Sequence, residues 1–200
     1  MYATSQYSYE ILAEVTNNSV NETLDVTLQL VTRNDSGTNI MTTTLKPDIN
    51  PIPPGKSVTI TERGTNPPGF PVSLQVINAV PVSGANIASL RVSLNDIGCS
   101  NESYGWVKGT ITNSNLFPVS TPSLSLWLIQ PGTGAPTSWN TFGSFNGKYD
   151  GVWQPGESRQ FQSGSFVMCT AQGSNQDIMV RPGITLQSFR TYAQGTTVQR

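Results

Sequence analysis

The side chain that most constrains chemistry in this chain is one it lacks. Its 200 residues include no histidine. Imidazole is the commonest general base near neutral pH and the commonest metal ligand. Ser-His-Asp and Cys-His nucleophile systems are therefore excluded by composition. Twelve Asp and Glu residues remain, and a pair of carboxylates can act as the acid and base of a glycosidase. Here the acids are dispersed and fall in turns or on the polar side of alternating stretches, where water keeps a carboxylate ordinary. Gly55-Lys56-Ser57 imitates the end of a phosphate loop, but the position of the required earlier glycine is Asn50, and Pro51, Pro53 and Pro54 remove N–H groups that would cradle phosphate. The second half carries Glu157 where the lysine would be. The expectation is a chain that is not an enzyme and that binds no cofactor and no metal.

Two cysteines, Cys99 and Cys169, sit beside expected strands of the second half. With no third or fourth ligand nearby, a zinc site is not expected. Two readings stay open: a pair of buried free thiols, or a disulfide. The disulfide is the expectation. On the chain-entropy model, closing a loop of this length stabilises by about 4 kcal/mol, and the bond implies an oxidising compartment.

All four tryptophans, Trp106, Trp127, Trp139 and Trp153, lie in the second half. Trp127 alternates out of phase with Leu124, Leu126 and Leu128, and Trp106 with Val107 and Ile111. Both should point away from the core of their sheets. Aromatic rings on a sheet face can fill a partner's pocket or stack on a sugar; the other reading is cover by a loop or by the other half.

What must position these residues is a repeated β pattern. AEVTNNS at 13–19, VTLQLV at 26–31 and PPGKSVTI at 53–60 match GTITNSN at 109–115, LSLWLI at 124–129 and QPGESRQF at 154–161, with an offset drifting from 96 to 101. Self-similarity at that interval means two copies of one domain-sized unit. The period within each copy is two: Tyr7, Tyr9, Ile11, Ala13 and Val15 alternate with Ser8, Glu10 and Glu14. Such alternation makes a strand with one buried face. Fourteen prolines and 18 glycines leave no window for an ordinary helix. The fold expected is all-β, two tandem antiparallel Ig-like β-sandwich domains, 1–97 and 98–200, divided where NDIGCS at 95–100 breaks the alternation.

The shared order (a strand ending in an Asn turn, a Leu-rich strand, a Gly turn, then Pro-Gly-(Lys/Glu)-Ser leading into a strand) resembles the FxLYD-type Ig-like sandwiches of prokaryotic cell-envelope proteins. The Leu-Tyr-Asp element is replaced by LVTRND at 30–35 and LIQPGT at 128–133. The resemblance implies a sandwich and a surface location, and no catalytic residues.

Charged residues make up 12% of the chain and the net charge is −1, which argues against nucleic acid and anionic membrane surfaces as partners. No stretch has the length of a membrane span. A weakly charged, hydroxyl-rich surface suits an extracellular or cell-surface protein, or a viral structural protein, that packs against copies of itself. The leading expectation is a self-associating filament or coat subunit joined by β-strand addition, with Tyr7, Tyr9 and Ile11 of the N-terminal strand, and the segment from Ser188, as candidate donors. The alternative is a module that binds a glycan or another surface protein through the four tryptophans.

Overall fold

The computed structural model describes residues 8–34, 36–65, 70–83, 86–101, 105–129, 136–138, 141–142, 150–166, 168–172 and 177–198. Among these residues the chain is β throughout, apart from one 3₁₀ turn at Leu186–Ser188. The strands are β1 (Ser8–Thr16), β2 (Leu24–Arg33), β3 (Asn39–Leu45), β4 (Ser57–Thr65), β5 (Phe70–Pro81), β6 (Ile87–Cys99), β7 (Gly105–Thr112), β8 (Val119–Ile129), β9 (Pro136–Ser138), β10 (Thr141–Phe142), β11 (Val152–Trp153), β12 (Ser158–Phe166), β13 (Cys169–Gln172), β14 (Asp177–Val180) and β15 (Phe189–Thr197). Every strand pairing is antiparallel, in keeping with the all-β reading.

The chain divides into two compact units, Met1–Ser83 and Gly84–Arg200. The boundary expected at 97/98 is therefore misplaced, and β6 is the reason. Its residues 87–90 pair with β15 and its residues 91–99 with β7, so the strand belongs to the second unit. The broken alternation at 95–100 is a β-bulge between Leu94 and Asp96, not a linker. One extra residue resets the phase, so Val92 and Leu94 before it, and Ile97 and Cys99 after it, pack against the same core.

The sequence repeat is also a repeat of pairing. In the first unit β1 pairs with β4, and β2 lies between β3 and β5; in the second, β7 pairs with β12, and β8 lies between β10 and β15. Even the register recurs, with Thr16 opposite Ser57 and Thr112 opposite Ser158. The hydroxyls of both pairs meet at 2.8 Å.

At the end of each of these pairs sits a buried asparagine. The Asn17 amide donates to the Glu22 and Ile52 carbonyls at 2.7 and 2.8 Å, and its oxygen accepts from the Ser19 N–H. Asn113 donates to the Phe117 and Trp153 carbonyls, both at 3.0 Å, and accepts from Asn115. One planar amide thus satisfies three backbone groups in a place water does not reach. The Pro-Gly turn closes on the same residue, Gly55 N–H donating to the Asn17 carbonyl and Gly156 N–H to the Asn113 carbonyl. Both glycines have positive φ, 65° and 79°, which explains their place in the motif. The turn's N–H groups are spent inside the fold, so Lys56 does not head a phosphate loop.

The first unit buries Val26, Leu28 and Leu30 of β2 with Val58 and Ile60 of β4. The second has a larger core, with Leu124, Leu126, Leu128, Val107, Ile111 and Trp153 near its centre. The expected disulfide is present between Cys99 and Cys169, with an S–S distance of 2.05 Å, and ties the end of β6 to β13.

Two outcomes follow. Asn113→Ala removes the amide donor from the Phe117 and Trp153 carbonyls, and the loss of a buried hydrogen-bond partner costs about 1–3 kcal/mol. The variant should lose about 2–4 kcal/mol in urea denaturation followed by tryptophan fluorescence; a loss within error would show that the asparagine does not hold the turn. The second outcome concerns Tyr192, whose hydroxyl donates to Gln194 at 2.9 Å. Burial pushes it up to about 12, against a small opposing effect of the Ser89 hydrogen bond. A phenol with a raised folded pKa holds its proton longer when folded than when unfolded. Stability should be level below pH 10 and fall as pH rises toward 12. Melting temperatures of the second unit across this range should show the slope, and Tyr192→Phe should reduce it.

Candidate functional site

The tryptophans do not form the site that their phase suggests. Trp127 does lie on the opposite side of β8 from Leu126 and Leu128, yet it is 1% exposed. That second face is covered as well, as Ser125, Tyr192 and Gln194 show. Trp153 is fully buried in the core, with the Arg159 guanidinium 4.6 Å from its ring centroid. Neither ring is presented to a ligand. Trp106 is half-buried; its ring lies against Gly98 on the paired strand, where a Cβ would collide with it, and Lys108 stands 4.2 Å from its centroid. Trp139 lies outside the described residues.

Nor are Asp25 and Glu157 tuned for proton transfer. Asp25 is held below its ordinary range by hydrogen bonds first from Lys46 and then from Asn50. Glu157 is lowered by the Gln154 N–H and then by Arg159. Both shifts keep the group charged, the opposite of what a general acid requires.

Within the terminal segments, the described residues are built into sheets. β15 is built between β8 and β6, and its Ala193 is fully buried. Tyr9 and Ile11 belong to β1, paired with Gly64 and Glu62 of β4. Tyr7 lies outside the described residues. Donation of β1 or β15 would require dismantling a sheet.

The anomaly lies at an edge of the first unit. Strand β5 pairs with β2, and among the described strands it has no second partner. Its counterpart β15 has two, because β6 lies along its other edge. The counterpart relation follows from register: Val26 opposes Ala79 as its repeat equivalent Leu124 opposes Ala193. Both strands also end alike, with Val82 N–H donating to the Thr23 carbonyl and Val198 N–H to the Pro118 carbonyl. Likewise β1, whose only described partner is β4, corresponds to β7, which has β12 on one side and β6 on the other.

Exposure reports the consequence. Residues directly opposite in an antiparallel pair point to the same face. Val76 opposes Leu28, which is 3% exposed, so Val76 faces the core; it is nevertheless 53% exposed. Ala79, opposite buried Val26, is exposed too. Ile77, at the bulge between those pairs, is 50% exposed, and Val80 is 46% exposed. In the second unit the equivalent of Ala79, Ala193, is fully buried. Along β1 the side chains of Ile11, Ala13 and Val15 are half-buried, whereas their counterparts Val107, Gly109 and Ile111 are buried. The inward side chains of β5 and β1 are thus less covered than their equivalents in the second unit, along the edges that β6 flanks there.

The sequence of β5, FPVSLQVINAVP, contains no charged residue. Natural sheet edges are commonly guarded by lysine, other charges or proline. Here the prolines stand near the two ends, and residues 72–80 between them are bare of both charge and proline. Val76, Ile77 and Val80 thus stand exposed on an edge that carries no charge. Sequence reasoning missed it because β5 alternates like any half-buried strand; only the unequal number of partners in the two repeats exposes it. In comparisons with protein-family models, curated proteins and solved structures, the chain has no match.

Proposed function

We propose that this chain is a non-enzymatic structural subunit of an extracellular or cell-surface assembly, a filament or coat component, in which subunits join by β-strand addition. The reading is carried by one observation: Val76 faces the core in register and is half exposed, on a strand edge free of charge. Strand addition supplies backbone partners for such an edge, and alternate side chains entering the opening set register. Three further features support the reading. The Cys99–Cys169 bond suits an oxidising compartment. The low charge suits close packing of copies. The likeness of both halves to FxLYD-type modules points to the cell envelope. The alternative, a glycan-binding module, draws less support, since two of its four tryptophans are buried.

A lysine on a strand edge disfavours pairing with a further strand. Size-exclusion chromatography and negative-stain microscopy over a wide concentration range should show the native chain forming larger species. Val76→Lys with Val80→Lys should stay monomeric with an unchanged melting temperature, since both positions are already exposed. A native chain that remains monomeric at every concentration would contradict the proposal, as would a double variant that assembles as the native chain does.

A further inference from the structure

The second unit shows which strand fits the opening, because it holds one. We infer that the position between β5 and β1 is a peptide-binding site for an extended segment of another polypeptide that carries the pattern of β6. That pattern is apolar at alternate residues, with one bulge, running antiparallel to both β5 and β1. This inference rests on the proposed joining by strand addition and specifies the strand that is added.

Register makes the specification residue by residue. In the second unit Leu90 opposes Ala193, Val92 opposes Ile111, Leu94 opposes Gly109 and Ile97 opposes Val107. Carried through the repeat, the four incoming apolar side chains would stand opposite Ala79, Val15, Ala13 and Ile11. Those four residues are exposed or half-buried now. The incoming strand passes from one sheet to the other, as β6 does, and so closes the sandwich at that corner. Charge agrees: β5 offers no ionic partner, so the half of the strand beside it should carry few charges, as residues 87–90 carry none.

Among the described strands of this chain, none is free to fill the position. Within the first unit, β1 to β5 are paired with one another. β6 itself is fixed in its own unit by β7, by β15 and by the disulfide at Cys99. Its sequence is therefore the probe, and its own copy is not the ligand.

The test uses a fluorescently labelled synthetic peptide spanning residues 86–98, titrated with the intact oxidised chain and read by anisotropy. Saturable binding is expected. Replacing the peptide's Leu90, Val92 and Leu94 with serine should weaken it about a hundredfold or more, since each buried aliphatic side chain contributes about tenfold. Ala79→Arg in the chain should weaken the native peptide about tenfold; because Ala79 is already exposed, the melting temperature of that variant should match the native value. Equal binding of the native and serine peptides would overturn the inference, as would full binding to Ala79→Arg. A chain that self-associates, yet neither binds the peptide at about a millimolar nor is dissociated by it, would also overturn the inference and leave the assembly proposal standing. Such an outcome includes two copies pairing β5 against β5. Peptide binding to a chain that never self-associates would uphold the inference and remove self-assembly.

Discussion

In the second unit a single strand, β6, completes two sheets. It supplies the second partner of β15 along residues 87–90 and of β7 along residues 91–99. A strand bordering an apolar core needs its backbone groups paired and its inner side chains covered, because buried unpaired N–H and C=O groups cost as much as lost hydrogen bonds. β6 meets both needs, and the result is visible in full burial of Ala193 and Val107, which it pairs. The first unit repeats the same pairings without such a strand among its described residues, and its core-facing Val76 and Ala79 are left in water. The same architecture is thus used twice and, among the described residues, closed once.

The two copies share what holds a sandwich corner and differ in what closes it. Asn17 and Asn113, with the glycine turns that fold back on them, fix the end of the β1–β4 and β7–β12 pairs by the same hydrogen bonds. That local clamp keeps β1 and β4 in register even though β1 has one described partner. The disulfide belongs to the second copy alone and anchors β6 at its far end. A strand held by pairing on two sheets and by a covalent bond serves as permanent structure. The same position in the first copy is suited to reversible occupancy.

Period-two alternation made most strands legible, including β1, β2 and β6, and the repeat foretold which segments would pair alike. The disulfide followed from two cysteines beside strands of one unit. Three features were not legible, each for a physical reason. NDIGCS looked like a boundary because a bulge shifts alternation by one residue just as a linker would, and only pairing tells them apart. Trp127 was placed on the right side of β8, but whether that side is open or covered was not legible, since alternation reports which way a side chain points and not what covers it. The opening beside β5 was hidden for the same reason: nothing in a strand's own sequence states how many neighbours it has.

Native-state hydrogen exchange, resolved to single amides in dilute solution, tests this asymmetry most directly. The comparison is between Ala79 and Val80 of β5 and their equivalents Ala193 and Gln194 of β15, the positions that β6 and β8 both flank. With one neighbour, β5 should show fast exchange at whichever of the two amides is directed away from β2, while both amides of β15 should be protected. Protection of both β5 amides at a level matching β15 would mean that the edge is already filled, and the account of an uncovered edge in the first unit would be wrong.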